Sequence, residues 1–379
     1  MNKMVSILIT ADFCPNERVT DLVETLDHHS IFNDFIDDIR SSDLSITNLE
    51  CPVIDNNNIS NTKIKKIGPS LSTTPKAIEI LKKAGFNLLT LANNHIMDYG
   101  ASGLNTTIKH IKNRGIDFVG AGNNFYEARK PFYFSKNNIT IGIINIAENE
   151  FSTTRGELPG ANPLDNVRNY YDIQKCKENC NKIILIYHGG SEGFQYPTPR
   201  MKELFRYYID LGVDVVISHH THCFSGFETY KNKHIFYGLG NFVFDWKNLR
   251  NNKWNYGYAV RLNFDNQNQN FEIIPYVQNN DIVGVHKLND ENKKNFFYEI
   301  SEINKIILDD SLLKKQFDQL ISERKSEYFF ALQPYNNRIL NALYRRKIIP
   351  NIWNVSKKNF LLNCIRCESH RDLIMGALK

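Results

Sequence analysis

The chain of 379 residues lacks the features that mark several specialised protein classes. No stretch approaches the ~20 consecutive apolar residues that span a bilayer, which argues against a transmembrane helix. The seven cysteines are odd in number and scattered, so we expect reduced thiols in a cytoplasmic setting rather than a disulfide framework. The short apolar run Val5–Thr10 lacks a small-residue cleavage site and predicts a first buried strand rather than an export signal.

The sequence also lacks a strong excess of either charge. Its net charge of +5 is slight for this length, so we expect no nucleic-acid partner. The apolar share of 42% and the charged share of 23% are typical of a folded protein. We find no internal repeat, and the length suits one large α/β domain with a smaller addition.

Short strands and helices alternate along residues 1–288, and this pattern predicts an α/β domain. Thr74-Pro75 and Gly85 predict a helix over Pro75–Ala84, and Phe32–Ile39 also has helical spacing. Alternating segments predict two β-hairpins, one turning near Asn137-Asn138 and one around Asp265–Asn270. The loop Glu148–Pro163 breaks this pattern, and a loop of this length is more often functional than idle.

From Asn289 onward the periodicity is helical only, so we predict a helical C-terminal extension over residues 289–379. Basic residues cluster within this extension at Arg345-Arg346-Lys347. They form either a solvated face or a surface for anionic lipid, which leaves peripheral attachment to the inner face of a membrane open.

The stretch Gly212–His222, GVDVVISHHTH, combines a buried strand with a histidine cluster. Val213–Ile217 is a β-branched run, and three histidines follow within four residues. His220 and His222 are two residues apart, so on an extended backbone both imidazoles face the same way. Such a pair suits a divalent metal, and the alternative is a histidine-rich surface loop.

Other polar residues also follow predicted strands. The full set of candidate metal ligands is Asp12, Glu50, Asn94, His188, His220 and His222. Ligands bind at the carboxyl ends of strands in open α/β sheets, so we expect these groups to lie together. Two buried carboxylates repel each other unless a cation neutralises them. The set therefore predicts a site for one or two divalent ions, which can activate water for hydrolysis.

An ordered series of motifs extends this pattern along the chain. It consists of Asn48-Leu49-Glu50, Leu91-Ala92-Asn93-Asn94-His95 with Asp98, His188-Gly189-Gly190, His219-His220-Thr221-His222, and the segment from Tyr237 to Asp245. In this order the motifs resemble the CapA family of capsule and poly-γ-glutamate synthesis proteins, which is similar in fold to calcineurin-like metallophosphoesterases. The resemblance covers roughly residues 5–280. It implies a four-layer α/β/β/α sandwich with a metal site at one edge.

The resemblance also assigns roles to individual residues. The six candidate ligands match the family's metal positions, and the candidate ions are Mn, Zn, Fe or Mg. His95 matches the catalytic histidine, and Asp98 orients it or holds the following turn. We assign four further residues to substrate binding: Glu148, Glu192, Arg200 and Asn241.

Some positions depart from the phosphoesterase pattern. Cys14 stands where a histidine ligand is expected, and Glu50 replaces a bridging aspartate. Asn93 and His219 replace glycines. One metal position therefore has fewer ligands unless Cys14 or His219 substitutes, so a mononuclear site and a site without hydrolytic activity both stay open.

Three functional hypotheses follow. The first is a metal-dependent phosphoesterase-like hydrolase acting on a surface polymer or its precursor in capsule, exopolysaccharide or poly-γ-glutamate synthesis. The second is ligase or hydrolase chemistry on an amide linkage at the same site. The third is a non-catalytic accessory protein that binds polymer-synthesis proteins.

Two other motifs predict no site. Gly238 and Gly240 follow a strand but open no helix, so they do not form a dinucleotide-binding loop. Cys364, Cys367 and His370 lack a fourth zinc ligand nearby, so we expect a packed helix there.

Overall fold

The computed structural model describes residues 4–55, 63–66, 68–265, 268–331, 337–350 and 353–366. The strands are β1 (Val5–Phe13), β2 (Leu44–Leu49), β3 (Leu88–Thr90), β4 (Asp117–Val119), β5 (Ala121–Gly122), β6 (Phe132–Lys136), β7 (Ile139–Ala147), β8 (Gly160–Ala161), β9 (Lys182–His188), β10 (Val215–His219), β11 (Phe227–Tyr230), β12 (Lys233–Phe236), β13 (Asn241–Val243), β14 (Tyr256–Phe264), β15 (Gln269–Gln278) and β16 (Val285–Lys287). The helices are α1 (Arg18–Glu24), α2 (His28–Phe32), α3 (Ile36–Ser41), α4 (Pro75–Ala84), α5 (Gly100–Asn113), α6 (Phe125–Ala128), α7 (Asn166–Lys177), α8 (Pro199–Leu211), α9 (Asp290–Leu308), α10 (Asp310–Ala331), α11 (Arg338–Arg345) and α12 (Val355–Arg366).

Two mixed sheets form the centre of the molecule. The first has eight strands in the order β16-β15-β14-β1-β2-β3-β4, with β13 also beside β1. Strands β1 to β4 and β13 run parallel, and β14 to β16 add an antiparallel edge. The second has six strands in the order β11-β12-β10-β9-β7-β6, of which β7, β9, β10 and β12 are parallel. Parallel strands place their carboxyl ends at one edge of each sheet.

Aromatic contacts show how the layers pack. Between the sheets, the Phe236 and Phe271 rings lie 5.1 Å apart. On the outer face of the first sheet, Phe32 of α2 packs on Phe242 at 5.7 Å. On the outer face of the second, Phe205 of α8 lies 4.9 Å from Tyr187. The layers are therefore helix, sheet, sheet and helix, and the predicted α/β/β/α sandwich is confirmed.

Several helices and hairpins lie where proline, glycine and residue alternation in the sequence predict them. The predicted helix after Thr74 begins at Pro75 and ends before Gly85, whose φ of 116° suits a residue without a side chain. The two predicted hairpins form as β6–β7 and β14–β15. The helical segment predicted at Phe32–Ile39 is instead divided between α2 and α3 by a tight turn at Asn33–Phe35.

The chain forms two compact units, residues 1–314 and 315–379. Helix α9 belongs to the first unit, where Phe296, Ile300 and Ile303 are buried. The predicted division at residue 288 lies before this boundary and stays a prediction about domains. In the second unit, the described residues are helical from 315 to 331, in α11 and in α12.

No helix among the described residues is both long enough and apolar enough to cross a membrane. Two residues of the rejected zinc motif, Cys367 and His370, lie outside the described part of the chain.

Candidate metal centre

The candidate ligands converge at the carboxyl ends of strands from both sheets. Asp12 lies near the end of β1, and Glu50 directly follows β2. Asn94 lies in the turn after β3, and His188 ends β9. All six predicted ligands are at least nine-tenths buried. The expectation that distant parts of the sequence meet at one sheet edge therefore agrees with the structure.

The imidazole of His188 lies at the centre of this cluster. Three ligand-type atoms surround its Nε2: Asn94 Oδ1 at 3.0 Å, His220 Nδ1 at 3.1 Å and Glu50 Oε1 at 3.3 Å. Each of these four atoms has a lone pair to offer. One proton on His188 cannot satisfy all of them, whereas a cation held between them can.

Glu50 is a buried acid that receives little support from the described residues around it. Its side chain is fully buried, and neither carboxyl oxygen has a hydrogen-bond partner in the described part of the chain. Burial raises the pKa of Glu50 well above its usual range, and the nearby Asp12 raises it further. A buried acid without donors is costly unless a cation binds it.

Glu50 belongs to two groups of donor atoms, within each of which the atoms lie no more than 4.8 Å apart. One group contains Glu50, His188 and His220, and the other contains Asp12, Glu50 and His222. Glu50 is thus the residue that the two groups share, and it would contribute a ligand atom to an ion held by either group. Imidazoles and carboxylates are the ligand types that Zn, Mn and Fe accept, so this donor set fits one or two divalent ions.

Asp12 is held mainly by its contacts with other site residues. Its Oδ1 accepts a hydrogen bond from Asn48 Nδ2 at 2.7 Å, and its Oδ2 accepts one from the His220 backbone N–H at 3.1 Å. Burial works to raise the pKa of Asp12, but His219 and His188 outweigh it and lower that pKa. Asp12 is therefore ionised in the cluster, which is the form that binds a cation.

The two ligand histidines after β10 reach the site by a route the sequence did not predict. The strand ends at His219, and the backbone then has φ values of 89° at His220 and 55° at His222. The extended backbone assumed for this pair is therefore wrong. Positive φ is strained for residues with a side chain, and such strain often occurs at functional sites.

Both central imidazoles are held in the neutral form that binds metals. Burial and the neighbouring His220 lower the pKa of His188 well below its usual value. Burial and His222 lower the pKa of His220 in the same direction. Each ring therefore keeps a lone pair available near neutral pH.

Asn241, which we assigned to substrate binding, contacts a candidate ligand. Its Oδ1 lies 2.9 Å from His222 Nδ1, and its Nδ2 donates to the His222 carbonyl at 3.2 Å. The ring of Trp254 packs 4.6 Å from the His222 ring. These contacts fix the imidazole with Nε2 directed toward Glu50, 3.9 Å from its Oε1. Ligand histidines usually have such a partner on the other ring nitrogen.

Glu148 and Arg200 form an ion pair with each other beside the site. The Glu148 carboxylate also accepts a hydrogen bond from the Gly190 backbone N–H at 2.8 Å, so it supports the turn that follows His188. Glu192 is near enough that its charge contributes to raising the pKa of Glu50. The structure thus brings Glu148, Arg200 and Glu192 close to the cluster, and substrate binding by them stays a prediction.

Glu150 also reaches the centre, although the sequence gave no specific sign of it. One carboxyl oxygen accepts a hydrogen bond from Asn94 Nδ2 at 3.3 Å, and the other lies 3.8 Å from His220 Nε2. It lies in the long loop that follows β7. Loops of this length are more often functional than idle, and that was the available signal.

His95 and Asp98 form a buried pair at the side of the cluster. His95 Nδ1 lies 2.8 Å from Asp98 Oδ2, as expected if Asp98 orients the ring. A third group, Lys66, contacts both: its Nζ is 2.9 Å from His95 Nδ1 and also contacts Asp98 Oδ1. Sequence analysis missed Lys66 because it lies in a polar segment rich in lysine and asparagine.

Cys14 and His219, the two possible substitute ligands, have different surroundings. Burial and the nearby Cys51 raise the pKa of the Cys14 thiol, which disfavours the thiolate that binds metals. His219 Nδ1 lies 3.3 Å from Asp12 Oδ1, and its ring is buried. His219 is therefore better suited than Cys14 to supply a missing ligand.

Comparison with known proteins places the chain in a family. The capsule biosynthesis protein CapA of Bacillus anthracis is 30% identical over 250 residues, covering 64% of this chain and 61% of that protein. The PGA biosynthesis protein CapA of Bacillus subtilis strain 168 is 31% identical over 246 residues and covers 64% of each chain. The matches thus span just over three fifths of both relatives.

The solved 5'-nucleotidase from Candida albicans SC5314 aligns with a TM-score of 0.39 at 12% identity, covering 85% of this chain and 58% of that one. The family described as bacterial capsule synthesis protein PGA_cap matches residues 6–246, which is more than half of this chain and includes all six candidate ligands. The chain therefore belongs to the PGA_cap family of bacterial capsule synthesis proteins, as its resemblance to CapA implied.

Proposed function

We propose that the chain is a metal-dependent, phosphoesterase-like enzyme of capsule or poly-γ-glutamate synthesis. Its substrate would be a surface polymer or a precursor of one, and its partners would include polymer-synthesis proteins. Membership of the PGA_cap family supports the biological setting. The geometry of the cluster supports the chemistry.

One observation carries the proposal: the buried carboxylate of Glu50 has ligand atoms around it but no hydrogen-bond donor in the described residues. A site built only for stability would supply that carboxylate with donors. The surrounding atoms are imidazole nitrogens and carboxylate oxygens, which can share a cation. We propose Asp12, Glu50, Asn94, His188, His220 and His222 as the ligands.

A divalent ion held by these residues would polarise a phosphoryl or carbonyl oxygen and lower the pKa of a water molecule to about 7. The neutral imidazoles of His188 and His220 would offer lone pairs without losing a proton. Asn241 would keep the His222 ring oriented. His95, next in sequence to Asn94, would assist the leaving oxygen as a hydrogen-bond donor or acid.

The test is hydrolysis of bis-p-nitrophenyl phosphate by protein purified without chelator and supplied in turn with Mn²⁺, Zn²⁺, Fe²⁺ and Mg²⁺. We expect turnover with at least one ion, and we expect His222→Ala to lose bound metal and turnover together. His110→Ala is the matched control, since His110 pairs with Asp55 away from the cluster. Equal turnover by the wild type and His222→Ala would contradict the proposal.

A second candidate is amide chemistry at the same site. It is favoured by the relative from Bacillus subtilis, whose name refers to PGA biosynthesis. A cation that stabilises a phosphoryl oxygen can also stabilise the oxyanion formed at an amide carbonyl. Incubation of the metal-loaded protein with γ-glutamyl oligomers separates the two: cleavage or extension without phosphodiester turnover favours amide chemistry. Metal binding with neither activity would favour the non-catalytic accessory role.

A further inference from the structure

Lys66 is a buried ammonium group beside the candidate catalytic histidine. Its side chain is only 3% exposed. The Nζ atom lies 2.9 Å from His95 Nδ1 and also contacts Asp98 Oδ1. The same His95 nitrogen lies 2.8 Å from Asp98 Oδ2. A cation and a carboxylate therefore compete for one ring nitrogen.

The two contacts require opposite states of that nitrogen. An ammonium group has three donors and no acceptor, so its contact with Nδ1 requires a lone pair there. A contact with the carboxylate requires a proton on Nδ1 instead. In a neutral imidazole only one ring nitrogen is protonated, so the two contacts select different tautomers.

Asp98 has other hydrogen-bond donors, so it depends less on a hydrogen bond from Nδ1–H of His95. Its Oδ2 accepts a hydrogen bond from the Leu71 backbone N–H at 2.7 Å, and its Oδ1 is in contact with the Lys66 ammonium. The backbone N–H of Ile64 also donates to the Asp98 carbonyl at 3.1 Å, which anchors the segment that contains Lys66. Lys66 gains from Nδ1 a further acceptor for its buried charge.

We propose that Lys66 is a positioning residue that keeps Nδ1 of His95 unprotonated and so places the ring proton on Nε2. The Nε2–H group is then a hydrogen-bond donor, the form needed to stabilise charge on a leaving oxygen. Without Lys66, Nδ1 would be protonated and would donate a hydrogen bond to the Asp98 carboxylate, and Nε2 would be an acceptor. The tautomer of His95 does not depend on the proposed function, whereas its catalytic consequence rests on that function.

The direct test is the imidazole ¹⁵N NMR spectrum of the zinc-supplemented protein, with the His95 signals identified by their loss in His95→Gln. The wild type should show a protonated Nε2 and an unprotonated Nδ1 at His95. Lys66→Met should reverse this pattern, and Lys66→Arg, which keeps a cationic donor, should preserve it. A wild-type spectrum with Nδ1 protonated, or a Lys66→Met spectrum like that of the wild type, would overturn the proposal.

A kinetic test examines the consequence with two phosphodiesters that differ in leaving group. One diester releases p-nitrophenolate and the other releases methoxide, a much poorer leaving group that needs donation from Nε2–H more. Lys66→Met should therefore lose roughly tenfold or more activity on the methoxide-releasing diester than on the p-nitrophenolate-releasing one, with metal content unchanged. Lys63→Met is the matched control, since Lys63 lies in the same segment over the Tyr99 ring. Equal losses on both esters would exclude a role in leaving-group assistance. If the wild type lacks phosphodiesterase activity, the NMR result still decides the position of the proton.

Discussion

Two carboxylates with fully buried side chains, Glu50 and Asp245, have opposite environments. Asp245 accepts hydrogen bonds from two arginines: Arg18 Nε donates at 2.8 Å, and Arg250 donates from Nε at 2.7 Å and from Nη2 at 2.8 Å. Glu50 has no donor in the described residues, and imidazoles and Asp12 surround it instead.

The comparison separates an acid that stabilises the fold, Asp245, from an acid that is suited to bind a cation, Glu50. The protein itself supplies the counter-charge for Asp245, and Arg18 also donates to the carbonyls of Asn279 and Asn280, so the carboxylate joins several loops. Glu50 lacks such a counter-charge, which a bound cation would provide. The same chemical group thus predicts a stability role at one place and a binding role at the other.

The largest expected effect comes from Glu50→Gln, which removes the charge and keeps the shape. Metal affinity should fall by more than the ~100-fold typical of losing an outer-shell partner, because a proposed ligand is lost. The chelator-treated variant should stay within ~1 kcal/mol of the wild-type unfolding free energy, since no hydrogen bond to the carboxylate is broken. Metal titration and urea unfolding measure the two effects. If Glu50→Gln kept its metal affinity, or if the metal-free variant were much less stable than the metal-free wild type, Glu50 would be a structural acid like Asp245.

Asp245→Ala should show the reverse pattern. Removing one partner of a buried ion pair costs about 3–5 kcal/mol, and the partial exposure of both arginines reduces this to about 2–3 kcal/mol. Urea unfolding of the metal-free protein measures the loss. Metal content should equal that of the wild type, and a loss of metal at unchanged stability would assign Asp245 to the site instead.

Asn241→Ala should have an intermediate effect on metal affinity. Its Oδ1 holds Nδ1 of His222, so its removal frees the ring without removing a ligand. We expect metal affinity to fall roughly 10- to 100-fold, as for other outer-shell partners. Zinc titration of the variant and the wild type checks this. Unchanged affinity would show that Trp254 packing alone orients the ring.

Acidification should produce the smallest effect, at Asp245. Burial works to raise the pKa of Asp245, but Arg18 and Arg250 outweigh it and hold that pKa below its ordinary value. The carboxylate therefore adds stability above about pH 4, and this is lost as the pH falls through the lowered pKa. Unfolding of the metal-free wild type and Asp245→Asn between pH 6 and 3 should show a stability gap that is constant at first and then closes. A gap that widens toward pH 3 would contradict this sign.

The sequence predicted much of the fold because its local signals were strong. Pro75 and Gly85 enclose a helix, and the hairpins show clear alternation. The short strands β11 and β16 were missed, since a few residues carry little periodicity of their own and sheet pairing stabilises them. The division of the segment 32–39 was missed because helical spacing continues across a turn.

The candidate site was predictable only in part. The ligand positions follow strand ends, so chain order and residue type were enough to bring them together. Lys66 and Glu150 were missed because each reaches the site through loop conformation, which single-sequence patterns do not encode. Asn241 was expected near substrate, but its contact with His222 depends on the pairing of β13 with β1.

The most direct test of the central claim is calorimetric titration of chelator-treated wild type and Glu50→Gln with Zn²⁺ or Mn²⁺. The wild type should bind one or two equivalents and gain thermal stability, whereas Glu50→Gln should lose most of this binding. A wild type that binds neither ion, or a Glu50→Gln protein that binds as the wild type does, would contradict the account.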